Sequence, residues 1–170
     1  MDFYYFDESG FTLESCVPYA WQDKGNKKGN QIEIPSSKST RLNVLGFINR
    51  DCHFESYVFE GGINSEVVVA CFDDFSKKLS KKAIVLIDNA STHTSNLFKH
   101  NADKWKDKNF IIYNIPPYSP ELNKIEILWK KIKYEWLDFS AYESFESLKE
   151  SLNYILANIG MDQKYYINFS

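Results

Sequence analysis

Cysteine is scarce in this chain. Cys16, Cys52 and Cys71 are odd in number, lie far apart and show no CxxC spacing. That argues against a disulfide framework or a cysteine zinc site and fits a reducing compartment, with all three as ordinary buried or half-buried residues. Long apolar runs are missing too: no stretch approaches the roughly 20 residues of a membrane span. The opening Met1-Asp2-Phe3-Tyr4-Tyr5-Phe6-Asp7 lacks the basic region and cleavage site of a secretory signal. Together these point to a cytoplasmic setting without a membrane partner. Nor is there a surplus of positive charge. Twenty Lys and Arg stand against 23 Asp and Glu, a net charge of −3, which is not the balance of a free-standing nucleic-acid binder. Internal repeats, low-complexity tracts and interdomain linkers are absent as well.

What the chain has in quantity is core material. Hydrophobic residues make up 44% and aromatics 16% of its 170 residues. That suits one domain, residues 1–170, with a sizeable core, and argues against disorder. The charge is unevenly placed. Lys24, Lys27, Lys28, Lys38 and Arg41 have few acids among them, and Lys130, Lys131 and Lys133 form a second group. Acids gather at Asp73-Asp74 and from Asp138 to Glu150. A basic face on an acidic protein and a solvated mixed surface both fit this pattern.

The first strand reads Phe3 to Asp7, almost wholly aromatic, as a strand buried on both faces would be. Gly10 permits a turn after it. From about Cys16 to Thr40 the chain is polar and carries Gly25 and Gly29, which reads as a mobile loop with a short strand at Tyr19-Ala20-Trp21. Arg41–Asn49 and Cys52–Glu60 are two β-rich runs joined by a turn at Asn49-Arg50-Asp51. Leu42, Val44 and Ile48 fall on one side of the first run, Leu45 and Phe47 on the other. A helix capped by Asn64 or Ser65 runs to about Leu79. Lys82 to Ile87 is a continuous apolar strand, a helix follows from about Ser95 to Lys106, and Phe110–Ile115 is a strand stopped by Pro116-Pro117. The next helix begins near Asn123 with the stripe Ile125, Leu128, Trp129, Ile132 and Trp136; the last spans about Phe145 to Asn158. The resulting order is β-β-β-α-β-α-β-α-α.

Three acids stand out against this layout. Asp7 and Asp88 each end an apolar strand, and Glu126 opens a helix. In an open α/β sheet, ligands gather outside the carboxyl ends of parallel strands. If the first strand and the Lys82–Ile87 strand are neighbours, their aspartates sit side by side, and because charged side chains are rarely buried without partners this implies a shared cation. Mg²⁺ takes oxygen ligands and commonly one or two carboxylates. Two such ions about 3.5–4 Å apart stabilise the attacking and leaving oxygens of an in-line displacement at phosphorus. Three carboxylates without metal would repel, raising at least one pKa. Each acid alone also has a plain structural reading. Asp7 and Asp88-Asn89 are acceptable turn residues, and Asn123-Lys124-Ile125-Glu126 matches a capping box with Asn123 as N-cap and Glu126 at N3. Glu8 competes with Asp7 but falls on the opposite side of a continuing strand.

Several segments resemble, in the same order and over nearly the whole chain, the DDE transposases of the IS630/Tc1/mariner superfamily. They are Asp7-Glu8-Ser9-Gly10-Phe11, Trp21-Gln22-Asp23-Lys24-Gly25, Arg41 to Gly46, Asp88-Asn89-Ala90 with His93, and Pro116 to Glu126 with Trp129. The resemblance implies a ribonuclease H-like, retroviral-integrase-like α/β fold: a mixed five-stranded sheet flanked by helices. It also implies an Asp7, Asp88 and Glu126 triad binding two Mg²⁺ (or Mn²⁺) ions. The chemistry would be DNA cleavage at a transposon end, then attack by the freed 3′-hydroxyl on target DNA, typically at TA sites. Asn89 and His93 belong to the same motif. His93 either approaches the scissile phosphate or metals, or orients the loop after Asp88. Lys24, Lys27, Lys28, Lys38 and Arg41 are candidates to neutralise phosphates.

The chain departs from the family pattern in having Lys124 where proline is usual. It also starts a few residues before the first catalytic strand, without the N-terminal helix-turn-helix domain. The expectation is therefore weak DNA binding in isolation, a homodimer in the active complex, and DNA recognition from a separate helix-turn-helix subunit or upstream reading-frame product, in a nucleoid-associated setting. The alternatives are a ribonuclease H-like nuclease without strand transfer and a non-catalytic DNA-binding remnant of a transposase.

Overall fold

The computed structural model describes residues 1–13, 40–116 and 119–169. The expected loop and short strand between Cys16 and Ser39 lie outside the described residues, as do Trp21, Lys24, Lys27, Lys28 and Lys38.

Five strands form one sheet in the order β3-β2-β1-β4-β5. The strands β1 (Asp2–Phe11), β2 (Leu42–Asn49) and β3 (Phe54–Glu60) make an antiparallel meander. β4 (Ala83–Ile87) and β5 (Phe110–Asn114) add parallel to β1. The helices are α1 (Ser65–Lys78), α2 (Asn96–Asp107), α3 (Ile125–Lys131) and α4 (Phe145–Asn158), and α3 continues into a π-helical turn over Ile132–Trp136. The expected element order, and with it the ribonuclease H-like mixed sheet, is present.

The sheet is covered on both faces, which explains why its central strands lack polar alternation. Tyr4, Phe6, Leu45, Phe47, Val85 and Ile87 pack with α1 and α2. Tyr5, Phe11, Leu42, Val44 and Ile48 pack with α3, α4 and the C-terminal segment. All eight residues of β2 are buried, and its two faces divide as period-2 reading expects. Trp129 and Trp136 lie within the core. The Asn49 side chain closes the β2–β3 turn by accepting from Asp51 N at 3.0 Å and His53 N at 2.9 Å. Asn64 and Ser95 cap α1 and α2 by accepting from Val67 N and Phe98 N.

β1 differs from expectation. It does not end at Asp7, and Gly10 is not a turn. The strand runs to Phe11 because β2 pairs with it that far, matching Gly10 with Asn43 and Phe11 with Leu42. Ladder hydrogen bonds satisfy the backbone there, so the latitude of glycine goes unused. Gly10 instead gives room to the Arg41 side chain, whose guanidinium lies where a Cβ would stand. What ends near Asp7 is the parallel pairing with β4, last matched at Tyr5 and Leu86.

Candidate active site

Extending that register by two places sets Asp7 opposite Asp88. Asp7 shares a sheet face with Tyr5 and Phe11, the face covered by α3. Its Oδ2 accepts a hydrogen bond from Trp129 Nε1 at 3.1 Å. The carboxyl is pushed up from 3.8 to about 7. Burial is the main cause, opposed by a backbone hydrogen bond from Glu8 and reinforced by the negative charges of Asp88 and Glu126.

Asp88 leaves the end of β4 with its side chain half exposed. Oδ1 accepts from Ala90 N at 3.0 Å and pairs with His93 Nδ1 at 2.6 Å. The His93 hydrogen bond holds this carboxyl below its ordinary range, against the opposing pull of burial. His93 is itself buried, its ring 5.3 Å from Phe6 and 5.9 Å from Phe98 between centroids. Its Nε2 has no hydrogen-bond partner among the described residues. Its ring thus lies in the core with Nδ1 tied to Asp88 in the loop after β4. Asn89 turns away: its amide donates to Ile115 O at 2.7 Å and accepts from Asn114 Nδ2 at 3.2 Å, tying the ends of β4 and β5 together.

Glu126 lies in the first turn of α3, but the capping box expected around it does not form. The N-cap position is Lys124, with no side-chain cap bond. Asn123 is buried, and its amide donates to Phe6 O on β1 at 3.0 Å. A tertiary acceptor has taken the group that local pattern assigned to the helix end. Glu126 and Asp7 line one open hollow with Glu8, Ser9, Trp129, Lys130, Lys133 and Tyr134.

Lys130, Lys133 and Tyr134 were not singled out as site residues from sequence. Their positions four, seven and eight residues after Glu126 place them along one helical face, and that spacing was the available signal. Arg41 lies elsewhere. Its Nε donates to Asn43 Oδ1 at 2.7 Å, and it borders a second hollow with Asn43, Gly61 and Gly62.

Asp7 thus feels the negative charge of both Asp88 and Glu126, without the three acids closing on one point. Among the described residues, no three His, Cys, Asp or Glu side chains are grouped to hold a metal ion as they stand. The donor chemistry still fits a hard cation. The groups are carboxylates, and the excess negative charge around Asp7 is of the kind a divalent ion relieves.

Residues 2–149 match the family described as DDE superfamily endonuclease. Comparison with curated proteins gives no match. Among solved structures, the chain is similar to the Mos1 transposase paired-end complex with left transposon end, at TM-score 0.72 and 16% identity, covering 97% of this chain and 50% of that one. The Mos1 Strand Transfer Complex gives TM-score 0.71 and 15% identity, with 96% and 48% covered. The Mos1 mariner paired end complex with Mn gives 0.70 and 16%, with 96% and 50% covered. The chain spans about half the length of these transposase chains and shares their fold. No helix of the described residues is long and apolar enough to cross a membrane. On the family match over most of its length, the chain belongs to the DDE superfamily endonucleases.

Proposed function

We propose that this chain is the catalytic domain of a metal-dependent DNA transposase, cleaving a DNA strand and joining a 3′-hydroxyl to target DNA. The observation that carries the reading is the place of Asp7: two register positions past the last β1–β4 pair, where Asp88 follows on the neighbouring strand, and lining a hollow that also holds Glu126. Asp7 and Asp88 would hold the divalent ions, and Glu126 would complete the set. A cation such as Mg²⁺ needs one or two protein carboxylates and keeps waters, so an aspartate pair suffices to begin the site. When bound, a pair of Mg²⁺ or Mn²⁺ ions supplies charge stabilisation to the entering and leaving oxygens at phosphorus.

The chain's own residues do the rest. His93 holds Asp88, and the Asn123 bond to β1 seats the helix that carries Glu126. Lys130 and Lys133 offer cations to backbone phosphates, and the exposed ring of Tyr134 offers a stacking surface to an unpaired base. One of the Mos1 structures is a paired-end complex with the left transposon end, and another is a paired end complex with Mn. By analogy this chain acts on transposon ends and TA target sites as a homodimer. Recognition of the ends comes from a helix-turn-helix segment or subunit beyond the described fold, and the protein works on nucleoid DNA in the cytoplasm.

The test is incubation of the protein with a supercoiled plasmid and a pre-cut transposon end in Mn²⁺. Joined products that vanish in folded Asp88→Asn support the reading. Nicking without joining identifies a nuclease instead, and neither product in wild type, even with an end-binding helix-turn-helix domain fused to the chain, identifies a non-catalytic remnant.

A further inference from the structure

Asp7 and Gly46 are directly opposed across the β1–β2 ladder. Residues opposed in an antiparallel pair share a face, so a side chain at position 46 would rise beside the Asp7 carboxylate. That space is filled by something else. A Cβ on Gly46 would come 2.8 Å from Cη2 and 3.0 Å from Cζ2 of Trp129, and 2.9 Å from Cε2 of Phe54. The benzo ring of Trp129 therefore occupies the volume glycine leaves empty. From there its Nε1 reaches Asp7 Oδ2 at 3.1 Å. Phe11 and Phe54 stand edge-on to the ring, at centroid distances of 6.4 and 6.3 Å.

We propose that Trp129 is the positioning residue of Asp7, and that Gly46 is the slot through which its indole reaches the carboxylate. The inference rests on the metal-binding reading given above. An apolar filler would not need an N–H, and phenylalanine or leucine would supply similar packing. Indole N–H is a donor with no acceptor capacity. It fixes one carboxylate oxygen without adding charge or competing as a ligand, and leaves carboxylate lone pairs for a cation. The position of Trp129 three residues after Glu126 adds a second consequence. One helix carries both the third acid and the group that orients the first, so the seating of α3 sets Asp7 and Glu126 together. Partners that orient metal ligands in this way typically change metal affinity about 10- to 100-fold when removed.

Calorimetric titration of Mn²⁺ into the full chain tests this. Trp129→Phe keeps a ring and removes the N–H. Gly46→Ala keeps every side chain and displaces the indole. Trp136→Phe, at a core tryptophan packed on Tyr165 at 5.2 Å, is the control for loss of an indole in general. Urea unfolding in EDTA establishes that each variant is folded. The expected result is a loss of about 10- to 100-fold in Mn²⁺ affinity in Trp129→Phe and Gly46→Ala, with Trp136→Phe unchanged. Quenching of tryptophan fluorescence by Mn²⁺ should be present in wild type and greatly reduced in Trp129→Phe. Equal affinity in wild type, Trp129→Phe and Gly46→Ala overturns the inference and leaves the metal-binding reading intact. Wild type that binds no Mn²⁺ overturns both.

Discussion

The Asn123 side chain donates to the Phe6 carbonyl across 117 positions of sequence, at 3.0 Å and fully inside the protein. Phe6 immediately precedes Asp7, and Asn123 lies three residues before Glu126. This one bond ties the strand carrying the first acid to the helix carrying the third. Asn123→Ala leaves the Phe6 carbonyl without this donor in a dry environment. The expected cost is about 1–3 kcal/mol in urea unfolding. Asn123→Asp should cost at least as much, because it buries a carboxylate against a carbonyl oxygen. Either variant should also lower Mn²⁺-dependent DNA cleavage more than its stability loss accounts for. Variants as stable as wild type would show that the bond does not anchor α3.

His93 gives a cleaner separation of packing from polarity. Its ring fills space between Phe6 and Phe98, while Nδ1 serves Asp88 and Nε2 meets no partner among the described residues. His93→Phe keeps the ring and abolishes the orphaned nitrogen along with the Asp88 bond. It should stay within about 1.5 kcal/mol of wild type, as volume-conserving core changes usually do, yet weaken Mn²⁺ binding. His93→Ala should cost about 2–5 kcal/mol through the cavity it leaves. Urea melts and Mn²⁺ titration of the pair check both statements. Equal Mn²⁺ affinity in His93→Phe and wild type would reduce His93 to a packing residue.

Much of this arrangement was legible in the sequence, because strands buried on both faces advertise themselves. The aromatic β1, the β2 pattern of Leu42, Val44 and Ile48 against Leu45 and Phe47, and the run ending at Asp88 gave the sheet and put two aspartates together. The misreadings share one cause. Gly10 as a turn and Asn123 as a cap are sound local inferences, and a long-range partner overrode each: β2 in one case, the Phe6 carbonyl in the other. The polar use of Trp129 was illegible for the same reason. It depends on Gly46 facing Asp7, a fact of register that no local window contains.

Two glycines with positive φ separate backbone strain from crowding. Gly61 has φ +92° with nothing among the described residues within 4 Å of a Cβ, whereas Gly160 has φ +76° and a Cβ there would collide with the Cys52 carbonyl. Gly61→Ala should therefore cost about 1–2 kcal/mol, the left-handed penalty alone. Gly160→Ala adds displacement of backbone that cannot swing aside, and should cost more than Gly61→Ala by at least about 1 kcal/mol. Denaturant midpoints of the two variants decide it, and equal losses would mean the Cys52 segment yields freely.

The Asp7 carboxyl makes metal-free protein the informative state. Its pKa is raised from 3.8 to about 7, so the folded protein binds that proton more tightly than the unfolded chain. The stability this lends is complete below pH 3.8 and is lost as pH rises to about 7. At pH 8 in EDTA the ionised side chain is a net burden. Asp7→Asn, neutral throughout, should then exceed wild type by about 1–3 kcal/mol, with the gap closing towards pH 4. Divalent ions should reverse the order. A ligand at a hundredfold excess over its Kd stabilises by about 2.7 kcal/mol, which for a chain of this size raises Tm by roughly 5–10 °C. Wild type should show that gain with Mn²⁺ and Asp7→Asn should not. Thermal melts of both proteins, in EDTA and in Mn²⁺, give four numbers whose crossing is the signature of an acid kept for a cation at the expense of the fold. Parallel shifts in both proteins would place the ion somewhere other than Asp7.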